Sequence, residues 1–240
     1  TVTSTNSNQD FTEITTFSAP YKTVISGDDC YVYLVTNEDE VNTLDCLNKF
    51  DDTLPSLGLK MKTGLTVDFR NREALRSEAE EQAVPLFYSQ HIQDGKVVFP
   101  IGKENEYIVT QQQGLLQKNA NYLFVKRFTA KEEHRRLQCG VYIARKHTGY
   151  DRISTQNKLN FIDGLKGLSE CVVYGLYVLF NSTLYDLYYR ILYGSTQVNS
   201  TEVNSMPMPP MTSIEAMGKE LIKVRDMSEA SCDRILRSYV

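Results

Sequence analysis

No apolar run in these 240 residues is long enough to cross a bilayer: the longest, residues 171–180, covers about half of what a spanning helix needs. No basic-then-apolar leader opens the sequence, so no secretory signal is expected. Cysteine is sparse. Five residues, an odd number without a CxxC pair, exclude a disulfide scaffold and a zinc knuckle. They fit a reducing compartment, and a cytoplasmic setting without membrane contact is expected. Histidine is sparser still. His91, His134 and His147 show no HxxxH spacing and no carboxylate at ligand spacing, so no metal site is expected. The G-x-S-x-G elbow, the P-loop and the G-x-G-x-x-G turn are all missing. No cysteine is marked by a partner histidine. Asp68 with Asp94-Gly95-Lys96 loosely matches the acid…acid-x-lysine pattern of metal nucleases, but Asp94-Gly95 reads better as a turn. No catalytic or cofactor-binding residue is assigned.

What is present suits a globular chain with a sizeable core: 41% hydrophobic and 23% charged residues. The net charge of −4 hides an asymmetry. Residues 1–57 hold ten acidic residues against Lys22 and Lys49, a local charge of −8. Residues 118–158 hold ten basic residues against Glu132, Glu133 and Asp151, a local charge of +7. A basic segment within an acidic chain is the footprint of an anionic partner, or an ordinary solvated face.

The pattern of elements predicts an α+β fold, with a curved mixed or antiparallel sheet in the middle and helices at the C-terminal end. Residues 30–35 read as a strand and 38–50 as a helix. Strand-like pieces follow at 65–69, 84–88, 97–101, 106–109, 122–125 and 139–144, with polar helical character over 70–82. Asp94-Gly95 reads as a hairpin turn. A helix over 171–180 stops and restarts with Ser182 as N-cap, and Gly194 ends it. Helices are expected over 214–227, capped by Thr212 or Ser213, and over 228–239. Tyr174, Tyr177, Tyr185, Tyr188, Tyr189 and Tyr193 read as core packing rather than a base-stacking platform.

Several residues carry chemistry that reads nucleic acid. Lys126, Arg127, Lys131, Arg135, Arg136 and Lys158 are candidates for DNA-backbone contacts, with 131–136 drawn as a helix. Thr63, Arg70, Gln90, Gln111, Gln112 and Asn160 are candidates for base contacts, because amides pair with adenine and guanidinium with guanine.

Five segments taken together resemble gamma-class adenine-N6 DNA methyltransferases. They are K-M-K-T-G-L-T-V-D-F-R at 60–70, V-P-L-F-Y-S-Q-H at 84–91, V-K-R-F-T-A-K-E-E-H-R-R at 125–136 and N-K-L-N at 157–160. The last is the stretch from Leu179 through Arg190 to G-S-T-Q-V-N-S-T-E at 194–202. They are similar to segments of that family's target-recognition region, in the same order. Residues 204–210 and the helix after them also resemble recognition units of type I restriction specificity subunits. The family's F-x-G-x-G-like cofactor loop and its N-P-P-Y adenine loop do not occur here. The resemblance implies a recognition half: 1–57 as an acidic connector packing on a catalytic half, and 58–240 as the DNA target-recognition domain. It implies duplex DNA and the N-terminal methyltransferase domain of the same parent as partners, with S-adenosylmethionine bound by that domain. The rival readings are a nuclease or restriction–modification fragment, and a protein-interaction module.

Overall fold

A computed structural model describes residues 1–5, 14–26, 31–130, 132–193 and 196–240. The N-terminal part holds two short antiparallel pairs, β1 (Val2–Thr5) with β2 (Ile14–Phe17) and β3 (Ile25–Ser26) with β4 (Tyr31–Val32). Between and after them lie helices α1 (Tyr21–Val24) and α2 (Glu38–Leu47). Asn37 caps α2 by accepting the Glu40 N–H at 2.9 Å, while Glu40 accepts the Thr36 N–H. Of the strand expected at 30–35, residues 31–32 pair, and Cys30 lies outside the described residues.

Two sheets form the middle of the molecule. The first has six strands in the order β5 (Leu59–Thr63), β15 (Leu159–Gly164), β12 (Tyr122–Lys126), β13 (Cys139–Tyr142), β9 (Lys96–Val97) and β8 (Ile92–Gln93). The second has five: β11 (Gln117–Lys118), β14 (Arg152–Thr155), β7 (Val84–Phe87), β10 (Tyr107–Ile108) and β6 (Leu75–Arg76). Pairing is antiparallel except β13 with β9 and β14 with β7. Alternation along β12 explains the layering. Tyr122 and Phe124 face the second sheet, meeting Phe87, Tyr142 and Ile153. Leu123 and Val125 face a helical layer. The order is therefore helices, six-stranded sheet, five-stranded sheet, and an outer cover of loops over Leu86, Tyr88 and Ile108.

The helical layer comprises α3 (Glu170–Phe180), α4 (Thr183–Leu192), α5 (Ser200–Asn204), α6 (Met211–Val224) and α7 (Glu229–Leu236). Ser182 caps α4 as expected, accepting from the Tyr185 N–H. The α4 helix ends at Leu192; Gly194 lies outside the described residues. Helix α6 begins at Met211 behind Pro210, with no side-chain cap, so Thr212 and Ser213 sit inside its first turn. The tyrosines of α3 and α4 pack inward, and the hydroxyls of Tyr177, Tyr185 and Tyr189 donate to the Met227, Pro207 and Gln197 carbonyls.

Some expectations fail for local reasons. Residues 65–69 form an isolated bridge at Thr66 and a 3₁₀ turn, Asp68–Arg70, instead of a strand. Residues 70–82 form no α-helix, because Ala74 and Leu75 dock on the second sheet and Gln82 takes φ 66°. Strands β14 and β15 were not anticipated; the polar turn between them masks the alternation. Asp94 and Gly95, at φ 48° and 74°, do turn between β8 and β9. From Tyr33 onward the acidic N-terminal segment belongs to this fold. Leu44 and Leu47 are buried in its core, and the Tyr188 hydroxyl donates to Asn48. Among the described residues, no helix is long and apolar enough to cross a membrane.

Candidate nucleic-acid interface

Three segments run in parallel and stop at one edge of the sheets. Thr66 pairs with Gln156 in a parallel bridge, and β7 lies parallel to β14 with Phe87 opposite Thr155. Beyond that edge the chain leaves as loops 67–71, 88–91 and 156–158. The six-stranded sheet reaches the same edge, with Lys126 opposite Leu159 and Asn160 opposite Thr63. Backbone bonds fasten the loops together. The Gly64 N–H donates to Leu159 (2.7 Å), Asn157 to Thr66 (2.8 Å), Arg127 to Lys158 (3.1 Å) and Val198 to Arg127 (2.7 Å). A Cβ at Gly64 would overlap the Gln156 carbonyl, so only glycine fits there.

This rim gathers part of the expected set. Lys158, Gln90 and Arg70 are exposed on its loops, and Thr63 is half-buried. The Lys126 Nζ donates to Gln138 Oε1 at 2.8 Å. Arg127 donates through Nη1 to the Asn157 carbonyl (3.0 Å) and through Nη2 to Gln197 Oε1 (3.3 Å). Its Nε has no partner among the described residues. Asn160 is fully buried and donates through Nδ2 to the Val198 carbonyl at 2.7 Å, so it supports the rim from beneath and has no surface to offer a base. Gln111 and Gln112 are exposed, but their loop follows β10, which runs antiparallel to β7. They therefore leave the sheet from its opposite edge.

The segment after Arg127 is built differently from the expected basic helix. Residues 132–136 are turn and bend, and Lys131 lies outside the described residues. Asp186 Oδ1, on α4, accepts the backbone N–H groups of both Arg136 and Leu137 at 2.7 Å, and Oδ2 accepts from Arg190 Nε at 2.8 Å. Arg136 is 2% exposed; its Nε donates to Thr129 Oγ1 at 3.1 Å and its guanidinium lies 5.6 Å from the Tyr189 ring centroid. Arg135 donates to the carbonyls of Phe180 and Ser182 and pairs with Glu229 at 3.2 Å. Both arginines point into the protein and staple the sheet to the helices. Arg136→Ala is expected to cost about 2–4 kcal/mol of stability, as loss of a buried charged hydrogen-bonding group does. Urea titration checks this; a midpoint unchanged from the parent would return Arg136 to the surface.

Among the described residues, no group of three or more His, Cys, Asp or Glu is placed to hold a metal. Burial pushes the Cys139 thiol far up and the Cys232 thiol up to about 11, the opposite of an activated nucleophile. An open hollow of about 610 Å³ lies at the far end of β5 and β15, lined by Gly58, Leu165, Val172, Met211 and Glu215.

His91 is wholly buried, its Nδ1 accepting the Tyr88 N–H at 2.9 Å, which leaves the proton on Nε2, facing Glu106 Oε2 at 3.2 Å. Burial, against the pull of Glu106, holds its pKa below the ordinary histidine value; burial and Lys146 do the same for His147. Both are therefore protonated more readily when unfolded. Stability is full above the ordinary histidine value near 6.5 and falls as pH drops through it, by at most about 1.4 kcal/mol per pH unit for each. The denaturation midpoint is expected to decline between pH 7 and 5. Glu133 and Glu170, whose folded values are lowered, add their loss only below about pH 4.5.

The sequence aligns with "Type II methyltransferase M.PstI" of Providencia stuartii at 32% identity over 229 residues, 92% of this chain and 45% of that protein. It aligns with "Type II methyltransferase M.BsuBI" of Bacillus subtilis at 33% over 245 residues, 99% of this chain and 48% of that protein. The chain is homologous to part of a type II methyltransferase. It spans about half the length of the curated methyltransferases it matches. No protein-family model matches it. A chain from a solved type I R-M system superposes with a TM-score of 0.37 at 11% identity, over 82% of this chain and 46% of that one. The HsdS subunit from Thermoanaerobacter tengcongensis gives 0.34 at 10% identity, over 84% and 46%. Of the segments that resemble methyltransferases, 60–70, 84–91, 157–160 and the start of 125–136 reach the rim, while Arg135 and Arg136 turn inward. Asp186 and Gln197 lie within the resembling stretch 179–202 but are not among the expected site residues, because polar side chains alone do not name the partners the fold brings them.

Proposed function

We propose that this chain is the DNA target-recognition part of a site-specific adenine-N6 methyltransferase, and that it reads duplex DNA along the rim. The observation that carries the proposal is homology to about half of two type II methyltransferases, in a chain without the F-x-G-x-G-like and N-P-P-Y loops. Methyl transfer and S-adenosylmethionine binding then belong to the other part of the parent protein, an N-terminal methyltransferase domain acting in the cytoplasm. Residues 1–57 connect to that domain. Because Leu44 and Leu47 face this chain's own core, the exposed acids Glu38, Asp39 and Asp45 form the outward side of the connector. Residues 58–240 hold the DNA, with Lys126, Arg127 and Lys158 on the backbone and Thr63, Arg70 and Gln90 nearest the bases.

The test is duplex binding by fluorescence anisotropy across a salt series. Removing one phosphate-binding cation lowers the log–log salt slope by about 0.9. Lys126→Gln with Lys158→Gln is therefore expected to flatten the slope by about 1.8. Between 50 and 200 mM salt, the double variant should lose about 12-fold less affinity than the parent. An unchanged slope removes the rim from the DNA, and no salt-dependent binding by the parent chain refutes the proposal. Metal-dependent cleavage of the duplex would favour a nuclease instead, and salt-insensitive protein capture an interaction module.

A further inference from the structure

Two phenyl rings stand out from the rim. Phe69 is 62% exposed in the middle of the Asp68–Arg70 turn, and Phe128 is 45% exposed beside Arg127. Neighbouring rings in this fold are buried: Phe87, Phe124 and Tyr142 meet at 5.1–5.5 Å between the sheets. The exposed pair share a local arrangement. The Arg70 guanidinium lies 5.5 Å from the Phe69 centroid, and the Arg127 guanidinium 5.6 Å from that of Phe128. Between the two loops lies Asn157, whose N–H donates to Thr66 and whose carbonyl accepts from Arg127. Both rings are thus carried by loops fastened to one turn, each with a cation against it and with Lys158 exposed on that turn.

We infer that Phe69 and Phe128 stack on DNA bases that the bound duplex partly unstacks, that Arg127 bridges its ring to a neighbouring phosphate, and that Arg70 braces its ring beside the bases it reaches. The inference rests on the DNA-recognition reading and deepens it by naming the contacts that deform the duplex. A phenyl ring left in water is unfavourable, and a base offers it a flat π-face. A guanidinium held against the ring strengthens such a stack, and that of Arg127 supplies the charge that draws the phosphate close. Aromatic residues that enter a base step spend part of their binding on unstacking, so a step already weakened binds better.

The experiment uses the full chain and three fluorescent probes: a paired duplex, the same duplex with one abasic position, and the matching single strand. The parent chain is expected to prefer the abasic duplex over the paired one by about 10-fold, within the range of base–aromatic stacking. Phe69→Ala and Phe128→Ala should each weaken abasic-duplex binding by at least about 5-fold and erode the preference. Phe→Trp at either position should keep it, and Phe→Leu, apolar without a π-face, should not. Both positions are exposed, so the denaturation midpoint of each variant should match the parent. A parent chain that binds duplex but shows no preference, or alanine variants that retain it, overturns this inference and leaves the recognition reading standing. A parent chain that binds none of the probes overturns both.

Discussion

Alanine at Gly218 is expected to cost about 3 kcal/mol or more and to leave the helical layer unable to close. Helices α3 and α6 cross with their backbones in contact. A Cβ on Gly218 would overlap the Cys171 carbonyl oxygen, and one on Gly175 would overlap the carbonyl of Ile214. Overpacking usually costs about 1–3 kcal/mol, because side chains swing aside. Here the obstacle is main chain in a helix, so relief requires the helices to separate. Separation would unpack Val172, Leu176, Ile214, Met217 and Leu221, all in the central core. Guanidinium denaturation of Gly218→Ala and Gly175→Ala measures the effect. Gly114→Ala is the control: no atom lies within 4 Å of the added methyl group, and its expected change is within about 0.5 kcal/mol. Equal midpoints for Gly114→Ala and Gly218→Ala would show that the two helices do not touch.

Asp186→Ala should be nearly as damaging, at about 3–5 kcal/mol, by a different route. One carboxylate satisfies two backbone N–H groups and Arg190 at a residue 5% exposed. Alanine leaves the Arg136 and Leu137 N–H groups buried without their acceptor, the costly side of the hydrogen-bond balance. The damage should begin locally. Hydrogen exchange at Arg136 and Leu137 is expected to accelerate more than exchange in β12 or α3. Asp186→Asn keeps an acceptor but loses the charge, and should fall between alanine and the parent. Uniform acceleration throughout the chain would show that Asp186 acts on global stability alone.

Legibility in the sequence tracks how local the deciding contact is. Residues 122–125 read as a strand from their own apolar run, Ser182 announces the start of α4, and Asp94-Gly95 specifies its turn, since each is settled within a few residues. Residues 130–136 have good helix-forming composition. Yet the N–H groups of Arg136 and Leu137 go to Asp186, about fifty positions later, and tertiary bonding overrides propensity. The candidate site divides the same way. Lys126, Arg127 and Lys158 are expected from the basic segment, and the fold carries them to the rim. Arg135 and Arg136 share its sign of charge but not its side of the fold, and a charge count carries no direction. Gln111 and Gln112 have suitable chemistry, but the direction of β10 carries them to the other edge. The exposure of Phe69 and Phe128 was equally invisible, since a phenylalanine inside a motif reads as core.

The order in which β5 acquires its neighbours has a consequence for biosynthesis. Among the described residues its only sheet partner is β15, with Thr63 set against Asn160 and Leu59 against Gly164. On its outer side the Met61 N–H and carbonyl both bond the side chain of Asn204, 143 positions away. Residues 59–63 therefore leave the ribosome as a strand with both edges open. They stay so while roughly a hundred further residues are made, which at about 5–20 residues per second is 5–20 seconds. Contacts of such long range slow folding and expose unpaired strand to intermolecular association. The alternation of Lys60 and Lys62 with Leu59 and Met61 keeps one face of that waiting strand charged, a safeguard that matters before the sheet exists.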